Sequence, residues 1–591
     1  MDVETYVDYF LVGFQDVETE QTVSLEMHDG QPLDIDKLRR FVRSFRLVTF
    51  NGNRFDMPIV ALALSGASCA LLKSAANRII SNNLQPWQFE REFGVTIPKC
   101  DHIDIFDVAP GMASLKIYGG RLHYPKMQDL PYAHDASLLP EQREVVRLYN
   151  VNDLGTTRAL FQKLLPQIEL RERMSQQYGM DLRSKSDAQI AEAVIVHEIE
   201  RLGRKVVRPE LSDRTTFKYR VPDFINFSTD ACNQALEMVR AATFGLTING
   251  SVDEPDEFKN ATVQIGSGVY RLGIGGLHSS EKRQAVEADD EWMVVDRDVA
   301  SYYPAIILGQ RLAPKQMGVE FTRVYRGIVQ RRLDAKRTGD KVTADALKIT
   351  INGSFGKFGS KWSKLYAPDL LIQTTLTGQL ALLMLIEALE GYEFGGVHVA
   401  SANTDGIVIR FRKSRADVVQ AIVADWEKRT GFETEETPYR AVYSRDVNNY
   451  IAIKPDGGVK LKGAYAGAAL MKNPTTEICN EAAVRWLRDG TPVERTVREC
   501  RDLRKFVTIR QVKGGAVKGE QYLGKAVRWY YSTDSPGAIQ YKVNGYTVAR
   551  SDGARPLMGL PDDFPDDVNF DWYINETADI LSDVGGFNTL E

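Results

Sequence analysis

The stretch from 294 to 308, VVDRDVASYYPAIIL, constrains the fold more than any other part of the chain. β-Branched residues run into an acid, a pattern typical of a buried strand that delivers Asp298 to the edge of a sheet. Pro304 then ends the strand and begins a new segment. A carboxylate held at the end of a rigid strand is a common element of divalent metal sites. A surface aspartate that closes a core strand is the alternative interpretation.

The chain has 591 residues, 43% of them apolar and 26% charged, which predicts three to five domains with sizeable cores. We find no apolar run of membrane-spanning length and expect no membrane partner. Five dispersed cysteines without a CxxC pair indicate a reducing cytosol rather than disulfides or a zinc ribbon. The net charge of −5 does not by itself indicate a nucleic-acid partner. However, residues 501–528 carry eight Lys/Arg against two acids, which predicts either a phosphate-binding face or a solvated charged surface.

Four acids in the first 165 residues form a candidate metal site. The first two acids are two residues apart on a short N-terminal strand, so their side chains share one face of it. A third acid follows an Asn-Gly turn, in the first turn of a helix. A fourth lies on a helix predicted over 141–164, one turn after a tyrosine. Such acids could surround two divalent ions that activate water for phosphodiester hydrolysis, although each short pattern also fits solvated acids. These residues are Asp2 and Glu4, Asp56, and Asp153 with Tyr149.

The three motifs, in this order, resemble those of the proofreading 3′→5′ exonuclease domains of DNA polymerases, of the DEDDy type with an RNase H-like fold. By that resemblance the four acids hold the metals and Tyr149 positions the attacking water. Asn51 and Phe55 would contact single-stranded DNA at the primer end, where aromatic stacking tolerates any sequence. Only Met1 precedes Asp2, so we expect a short strand at this point.

The stretch 294–308 also resembles a known motif. Residues 298–304, DVASYYP, are similar to motif A of family B DNA polymerases, D-x-x-S-L-Y-P, with Tyr302 in place of the usual leucine. The resemblance implies that Asp298 binds both catalytic metals and that the Val299 carbonyl binds one. The backbone around Ser301 and Tyr302 would cradle the triphosphate of a dNTP. Tyr303 would pack under the sugar and exclude a 2′-hydroxyl.

Two helices are predicted next, over 325–337 and 342–355, with a turn between them. A Lys and an Asn one turn apart, opposed by an Arg on the partner helix, would grip a triphosphate, although an exposed charged hairpin fits the same residues. Residues 348–356 resemble motif B of the same family, with Phe355 in place of tyrosine. A phenyl ring keeps the flat surface needed against a nascent base pair. The residues of the expected grip are Arg331, Lys348 and Asn352.

A strand, a polar turn and a second strand are predicted over 398–409. This hairpin resembles motif C, usually D-T-D-S, in which the second acid, here Asp405, is a direct ligand of both metals. Asn403 replaces the first acid and offers only a neutral oxygen. We expect Asp298 and Asp405 to suffice for two ions.

Further DNA contacts are implied by position. The Gly-rich segment 273–279 is a tight loop whose place resembles the YxGG loop, where Gly275 and Gly276 would contact the template. Residues 458–465 resemble the K-x-Y region, in which Lys462 and Tyr465 would grip the primer strand. The basic segment 501–528 would contact the duplex backbone as part of a thumb, together with the aromatic residues Tyr522, Trp529, Tyr530 and Tyr531.

The resemblance predicts a multidomain α/β and α+β protein, with an RNase H-like exonuclease domain and a right-hand polymerase of palm, fingers and thumb. The expected divisions are an exonuclease domain (1–165), a connecting region (166–290), palm (291–320), fingers (321–360), palm again (361–470), and a thumb with an acidic tail (471–591).

The expected function is template-directed DNA synthesis with 3′→5′ proofreading, using two Mg²⁺ per active site, with Mn²⁺ as a possible substitute. Lys348 follows Asp298 by 50 residues and precedes Asp405 by 57, which leaves no room for the insertions of protein-primed polymerases. We therefore expect extension of an ordinary nucleic-acid primer. The compactness resembles that of phage or mobile-element enzymes, so we expect a monomeric enzyme in the cytoplasm of a bacterial host. Its expected partners are primer–template DNA and dNTPs, with possible accessory replication proteins. The alternatives are an exonuclease with a degenerate polymerase half, motivated by Asn403, and a non-catalytic DNA-binding protein.

Overall fold

The computed structural model describes residues 1–391, 395–467 and 469–586. The chain forms two compact units. The first comprises Met1–Ser186, Gly467–Cys479 and Glu494–Ile574, and the second comprises Asp187–Ala466, Asn480–Val493 and the described residues from Asn575 onward. The predicted thumb, 471–591, is thus divided between the two units. The mixed α/β, multidomain class expected from the sequence is confirmed.

The N-terminal part of the first unit is built on short strands. Three of them form an antiparallel sheet in the order β1-β2-β3, and the other two pair in parallel. The amino group of Met1 donates to the Val48 carbonyl at 2.9 Å, which ties β4 to the start of β1. The strand that carries Asp2 and Glu4 is four residues long, as short as expected. The strands are β1 (Asp2–Thr5), β2 (Tyr9–Gln15), β3 (Thr22–His28), β4 (Leu47–Thr49) and β5 (His102–Asp104).

Six helices accompany these strands. The last of them is 39 residues long and continues through Pro166, well past the end predicted at 164. Its buried face includes Tyr149 and Asp153, which brings both side chains towards β1. The helices are α1 (Ile35–Ser44), α2 (Asp56–Leu64), α3 (Cys69–Asn82), α4 (Pro86–Phe93), α5 (Leu115–Arg121) and α6 (Pro140–Tyr178).

The second unit is organised around a seven-stranded sheet in the order β15-β12-β14-β13-β10-β9-β8. β12 carries Asp298 and is paired on both sides, so the predicted buried strand is observed. A second sheet, in the order β11-β16-β17-β18, belongs to the same unit. The strands are β6 (Gly245–Leu246), β7 (Val252–Asp253), β8 (Thr262–Ile265), β9 (Gly268–Arg271), β10 (His278–Ser279), β11 (Lys282–Glu287), β12 (Trp292–Val299), β13 (Val397–Asn403), β14 (Gly406–Arg412), β15 (Thr434–Tyr439), β16 (Ala441–Asp446), β17 (Asn449–Ile453) and β18 (Val459–Leu461).

The helices of this unit include the predicted fingers pair, α10 and α11, which pack on each other and on α7. Helix α12 corrects one expectation, because it is long and apolar enough to cross a membrane by length and composition. Of its most apolar window, 83% is buried inside the fold, as in the core helix of a globular domain. The helices are α7 (Asp187–Arg201), α8 (Asp230–Ala241), α9 (Tyr302–Gly309), α10 (Gly318–Thr338), α11 (Lys341–Lys357), α12 (Pro368–Glu390), α13 (Ala416–Thr430) and α14 (Glu477–Asp489).

The C-terminal strands pack on α5, within the first unit. Two expectations for this region are wrong. Trp529, Tyr530 and Tyr531 are buried in the core, so they offer no surface to DNA. Arg528 is fully buried and donates to the carbonyl oxygens of three residues, so its cation is structural. The elements are α15 (Val493–Glu499), β19 (Thr508–Lys518), β20 (Gln521–Tyr531), β21 (Gln540–Tyr541), β22 (Ala554–Pro556) and α16 (Phe570–Asp583).

Candidate active sites

The first unit contains a cluster of carboxylates at the start of β1. Oxygen atoms of Asp2, Glu4 and Asp153 lie within 4.8 Å of one another. Strand alternation places the first two on one face, and α6 supplies the third. The side-chain amide of Asn150, also on α6, donates to Asp2 at 2.7 Å and orients that carboxylate. Two acids of β1 and one acid of α6, which the chain separates widely, therefore lie together, and they are three of the four acids predicted to converge.

Asp56, the fourth predicted acid, is the first residue of α2 and is 3% exposed. Withdrawal from water, and then the charge of Asp2, hold the pKa of Asp56 well above its ordinary range. Burial, and then the charge of Asp153, raise the pKa of Asp2 to about 7. Burial followed by neighbouring acids also holds the pKa of Glu4 well above its usual value. Mutual repulsion of this kind is relieved by a cation, and an all-oxygen donor set suits Mg²⁺.

Lys116 lies beside Tyr149 and Asp153, and sequence reasoning missed it. Its ammonium donates to the Tyr149 hydroxyl, lies 4.3 Å from the centre of the Tyr149 ring, and is 3.7 Å from Asp153. Burial, followed by the charge of Asp153, raises the pKa of Tyr149 far above its ordinary value, so the phenol stays protonated. The signal in the sequence was weak, because a single lysine in the first turn of a short helix is usually solvated.

The loop before α2 is held by a carboxylate that sequence reasoning also missed. Asp104, at the end of β5, accepts backbone N–H groups of Asn51 at 2.8 Å and of Asn53 at 2.9 Å. Asn51 adopts a left-handed backbone conformation, with φ of 66°, which Asn tolerates better than most residues. Phe55 directly precedes α2 and is half-buried against the core of the unit. The sequence signal that could have identified Asp104 was its position at the end of a short strand.

In the second unit, the hairpin of β13 and β14 brings Asp405 beside Asp298. Asp298 pairs with Gly406 in the strand register, and the Val299 N–H donates to the Asp405 carbonyl at 2.7 Å. The Asp298 side chain is 48% exposed. Partial burial, and then the charge of Asp296, raise its pKa. The two acids predicted to be metal ligands therefore share one cavity of about 340 Å³, and the oxygen donors there suit Mg²⁺.

Two lysines and a third acid line the same cavity, and only one of the three was predicted. Asp296 is buried on β12, two residues before Asp298, and accepts from Lys460 at 2.9 Å and from the Tyr439 hydroxyl at 2.9 Å. Lys460 also lies 3.5 Å from Asp298. Although partial burial opposes it, the hydrogen bond and charge of Asp296 raise the pKa of Lys460. Lys462, the predicted residue, lines the cavity as well.

Asn403 uses its amide as a donor, which an aspartate could not do. Its Nδ2 lies 3.3 Å from the Val447 carbonyl and 3.4 Å from Oδ1 of Asn448. Its Oδ1 accepts from the Thr404 hydroxyl at 3.0 Å. The residue that replaces the first acid of motif C therefore links the hairpin tip to the turn between β16 and β17.

The segment after β12 explains why a tyrosine replaces the usual leucine. The Tyr302 ring is buried, and its hydroxyl donates to the Gly378 carbonyl of α12 at 2.7 Å. Ser301, in a left-handed conformation with φ of 48°, turns the chain into α9. Tyr303 is half-buried, and its ring centre lies 4.2 Å from that of Phe355 on α11. The two aromatic residues predicted to meet the sugar and the base pair are therefore in contact.

The two helices predicted to be the fingers, α10 and α11, bring together only two of the three residues predicted to bind the triphosphate. Lys348 and Asn352 are both exposed on α11, one turn apart. Arg331 on α10 instead lines a different cavity, of about 540 Å³, with Arg201 of α7 and Arg323. That cavity is not lined by Lys348 or Asn352.

The predicted DNA contacts around the palm have different outcomes. Gly276 presses against Thr404 so closely that a Cβ atom would clash, and the Thr404 N–H donates to the Leu277 carbonyl at 2.8 Å. The Gly275 carbonyl accepts from Gln379 at 2.6 Å. This loop therefore abuts the motif C hairpin. Tyr465, in contrast, is 3% exposed and packed in the core, which argues against its predicted contact with the primer.

No family model matches the chain. A segment of it is 26% identical, over 206 aligned residues, to DNA polymerase 1 of Aeropyrum pernix. That alignment covers 29% of this chain and 21% of the relative, so the chain matches about a fifth of that protein's length. The matched relative is itself a DNA polymerase.

Among solved structures, the chain is similar to the family B DNA polymerase of the hyperthermophilic archaeon Pyrobaculum calidifontis. The similarity covers 100% of this chain and 78% of that one, at 15% sequence identity and a TM-score of 0.40.

Proposed function

We propose that the protein is a family B DNA polymerase that extends a nucleic-acid primer along a DNA template and proofreads with a 3′→5′ exonuclease. The observation that carries the proposal is the convergence of Asp298, on β12, and Asp405, in the turn between β13 and β14, in a cavity that two lysines also line. The similarity to DNA polymerase 1 of Aeropyrum pernix supports it.

In the synthetic reaction, the primer 3′-hydroxyl attacks the α-phosphorus of a dNTP and pyrophosphate leaves. Asp298 and Asp405 would hold two Mg²⁺ ions, which when bound activate the hydroxyl and neutralise the charge on the phosphates. The exposed Lys348 and Asn352 face of α11 would contact the triphosphate. The Tyr303 ring, backed by Phe355, would lie under the sugar and exclude a 2′-hydroxyl.

In the hydrolytic reaction, water attacks the terminal phosphodiester of a single-stranded 3′ end. The four acids of the first unit would hold the metals. Tyr149 would orient the water through its hydroxyl, which Lys116 fixes. Asn51 and Phe55 would hold the terminal nucleotide beside α2.

The spacing of motifs A, B and C supports an ordinary primer rather than a protein primer. Two other functions remain as candidates. Asn403 favours an exonuclease whose polymerase half is degenerate. A non-catalytic DNA-binding protein is disfavoured by the retention of six acids in two clusters.

A labelled primer–template incubated with Mg²⁺ tests the proposal directly. We expect the primer to lengthen when dNTPs are present and to shorten when they are absent. Shortening without any extension would favour the degenerate polymerase. Binding without either reaction would favour the non-catalytic protein.

A further inference from the structure

Asp296 is an acid that the resemblance does not explain. It lies on the same face of β12 as Asp298 and is 5% exposed. A buried carboxylate is costly unless its oxygens are paired. Here a single oxygen, Oδ2, accepts from both Lys460 and the Tyr439 hydroxyl, each at 2.9 Å.

The position of Lys460 shows what this pairing does. Its ammonium is 2.9 Å from Asp296 and 3.5 Å from Asp298, so it makes the closer contact with the acid that is not a predicted metal ligand. The side chain is 40% exposed and comes from β18, in a different sheet from the two acids. If Asp296 were neutral, Asp298 would be the nearest carboxylate left to balance the ammonium. A lysine paired with Asp298 would compete with a dication for that carboxylate.

We propose that Asp296 is a positioning residue that anchors Lys460 and so keeps the Asp298 carboxylate available to a divalent cation. The inference rests on the proposed polymerase function for its purpose, since Asp298 is a metal ligand only in that assignment. It also bears on Asn403. The hairpin lacks one acid of its motif, and Asp296 adds an acid to the same cavity, where it neutralises Lys460 rather than binding a metal.

The test measures cation binding rather than turnover. Mn²⁺ binding is followed by electron paramagnetic resonance on the full chain with Asp2→Ala and Glu4→Ala, which removes two of the four acids of the competing cluster. In that background we expect Asp296→Asn to weaken Mn²⁺ binding about tenfold, the effect of one additional nearby positive charge. Adding Lys460→Met should restore the affinity, because the ammonium that competes for Asp298 is gone.

Glu287→Gln is the matched control, because Glu287 accepts from the Tyr443 hydroxyl in the same unit but does not line the cavity with Asp298. It should leave Mn²⁺ affinity unchanged. Unchanged affinity in Asp296→Asn, or a failure of Lys460→Met to rescue it, would overturn the proposal. Thermal melting of each variant separates a folding defect from a local one.

Primer extension by the same variants, with the exonuclease acids intact, provides a second readout. Asp296→Asn should raise the Mg²⁺ concentration needed for half-maximal extension about tenfold, with a smaller loss at saturating Mg²⁺. If the unmodified protein extends no primer, the proposed function fails, while the Mn²⁺ measurement still decides whether Asp296 protects Asp298.

Discussion

The two acidic sites of this protein differ in how the charges of their neighbouring carboxylates are balanced. In the first unit, four acids lie near two cations, Lys116 and the Met1 amino group, and burial raises the pKa values of the acids. In the second unit, three acids share a cavity with two lysines, so most of the charge is already balanced. We therefore expect bound cations to stabilise the first site, whereas in the second site the lysines already pair with the acids.

The largest expected effect separates the two sites. Asp405→Ala removes one of the two carboxylates proposed to bind metal in the second unit, so primer extension should fall by on the order of 10³-fold, since a metal contributes several kcal/mol to the transition state. Degradation of a single-stranded 3′ end should be unchanged. Asp2→Ala with Glu4→Ala should have the reverse effect. Both activities are measured on one labelled primer–template, with and without dNTPs.

Asp289→Ala is a suitable control for that experiment, because it replaces an acid of the same unit that does not line the cavity with Asp405. It should retain both activities. If Asp405→Ala kept normal extension, the assignment of the palm site would be wrong.

The sequence indicated which acids would lie close together because strands and helices of predictable periodicity carry most of them. Strand alternation fixed Asp2 and Glu4, and a helical turn fixed Tyr149 relative to Asp153. The sequence could not predict Lys116, Asp104 or Lys460, because each acts across a long separation along the chain. Their roles depend on which strands pair, and a single Lys or Asp in a short element carries no such information.

A second prediction concerns Lys116 in the first site. Lys116→Met keeps the length of the side chain but removes the ammonium that holds the Tyr149 hydroxyl. We expect degradation of single-stranded DNA to fall by roughly 10²-fold, the usual contribution of a group that positions a proton-transfer partner. Extension of a matched primer should be unchanged, which extension assays on the same preparation check.

Tyr149→Phe should reproduce most of that loss, and the double variant should be no worse than the single ones, because the two residues act as a pair. Additive losses would show that Lys116 acts independently of Tyr149.

A third prediction concerns how the stability of the first unit depends on pH. Acids whose pKa is raised on folding stabilise the fold at low pH and lose that contribution as pH rises from their unfolded value towards the folded one. For Asp2 this window extends from 3.8 to about 7. In EDTA, the melting temperature of the first unit should therefore fall as the pH rises from about 4 to about 7, and Mg²⁺ should reverse the fall. Calorimetry measures both slopes.

Glu4→Gln should flatten the pH slope, because it removes one of the competing charges. A melting temperature that is independent of pH in EDTA would contradict the predicted repulsion in the acidic cluster.

The sequence was least informative about the exposure of residues 528–531 on β20. It predicted that Trp529 and Arg528 would contribute to a DNA-binding surface, yet both are buried. Arg528, Trp529, Tyr530 and Tyr531 are consecutive in β20 and all four are buried, so both faces of the strand are covered there. Which elements cover the strand is decided by the fold of the unit, and local sequence does not specify this.

The smallest effect is expected at Asn403, where the second site lacks an acid. Asn403→Asp would restore the motif C carboxylate, but it would replace an N–H donor with an acceptor that faces the Val447 carbonyl. Losing that hydrogen bond costs about 1 kcal/mol, so we expect a slightly lower melting temperature. Primer extension should change by less than about threefold, since a gain in charge near the metals opposes a loosened hairpin tip. A gain of tenfold or more would show that the cavity lacks a carboxylate after all, and that Lys460 and Lys462 do not balance its charge as the contrast between the two sites requires.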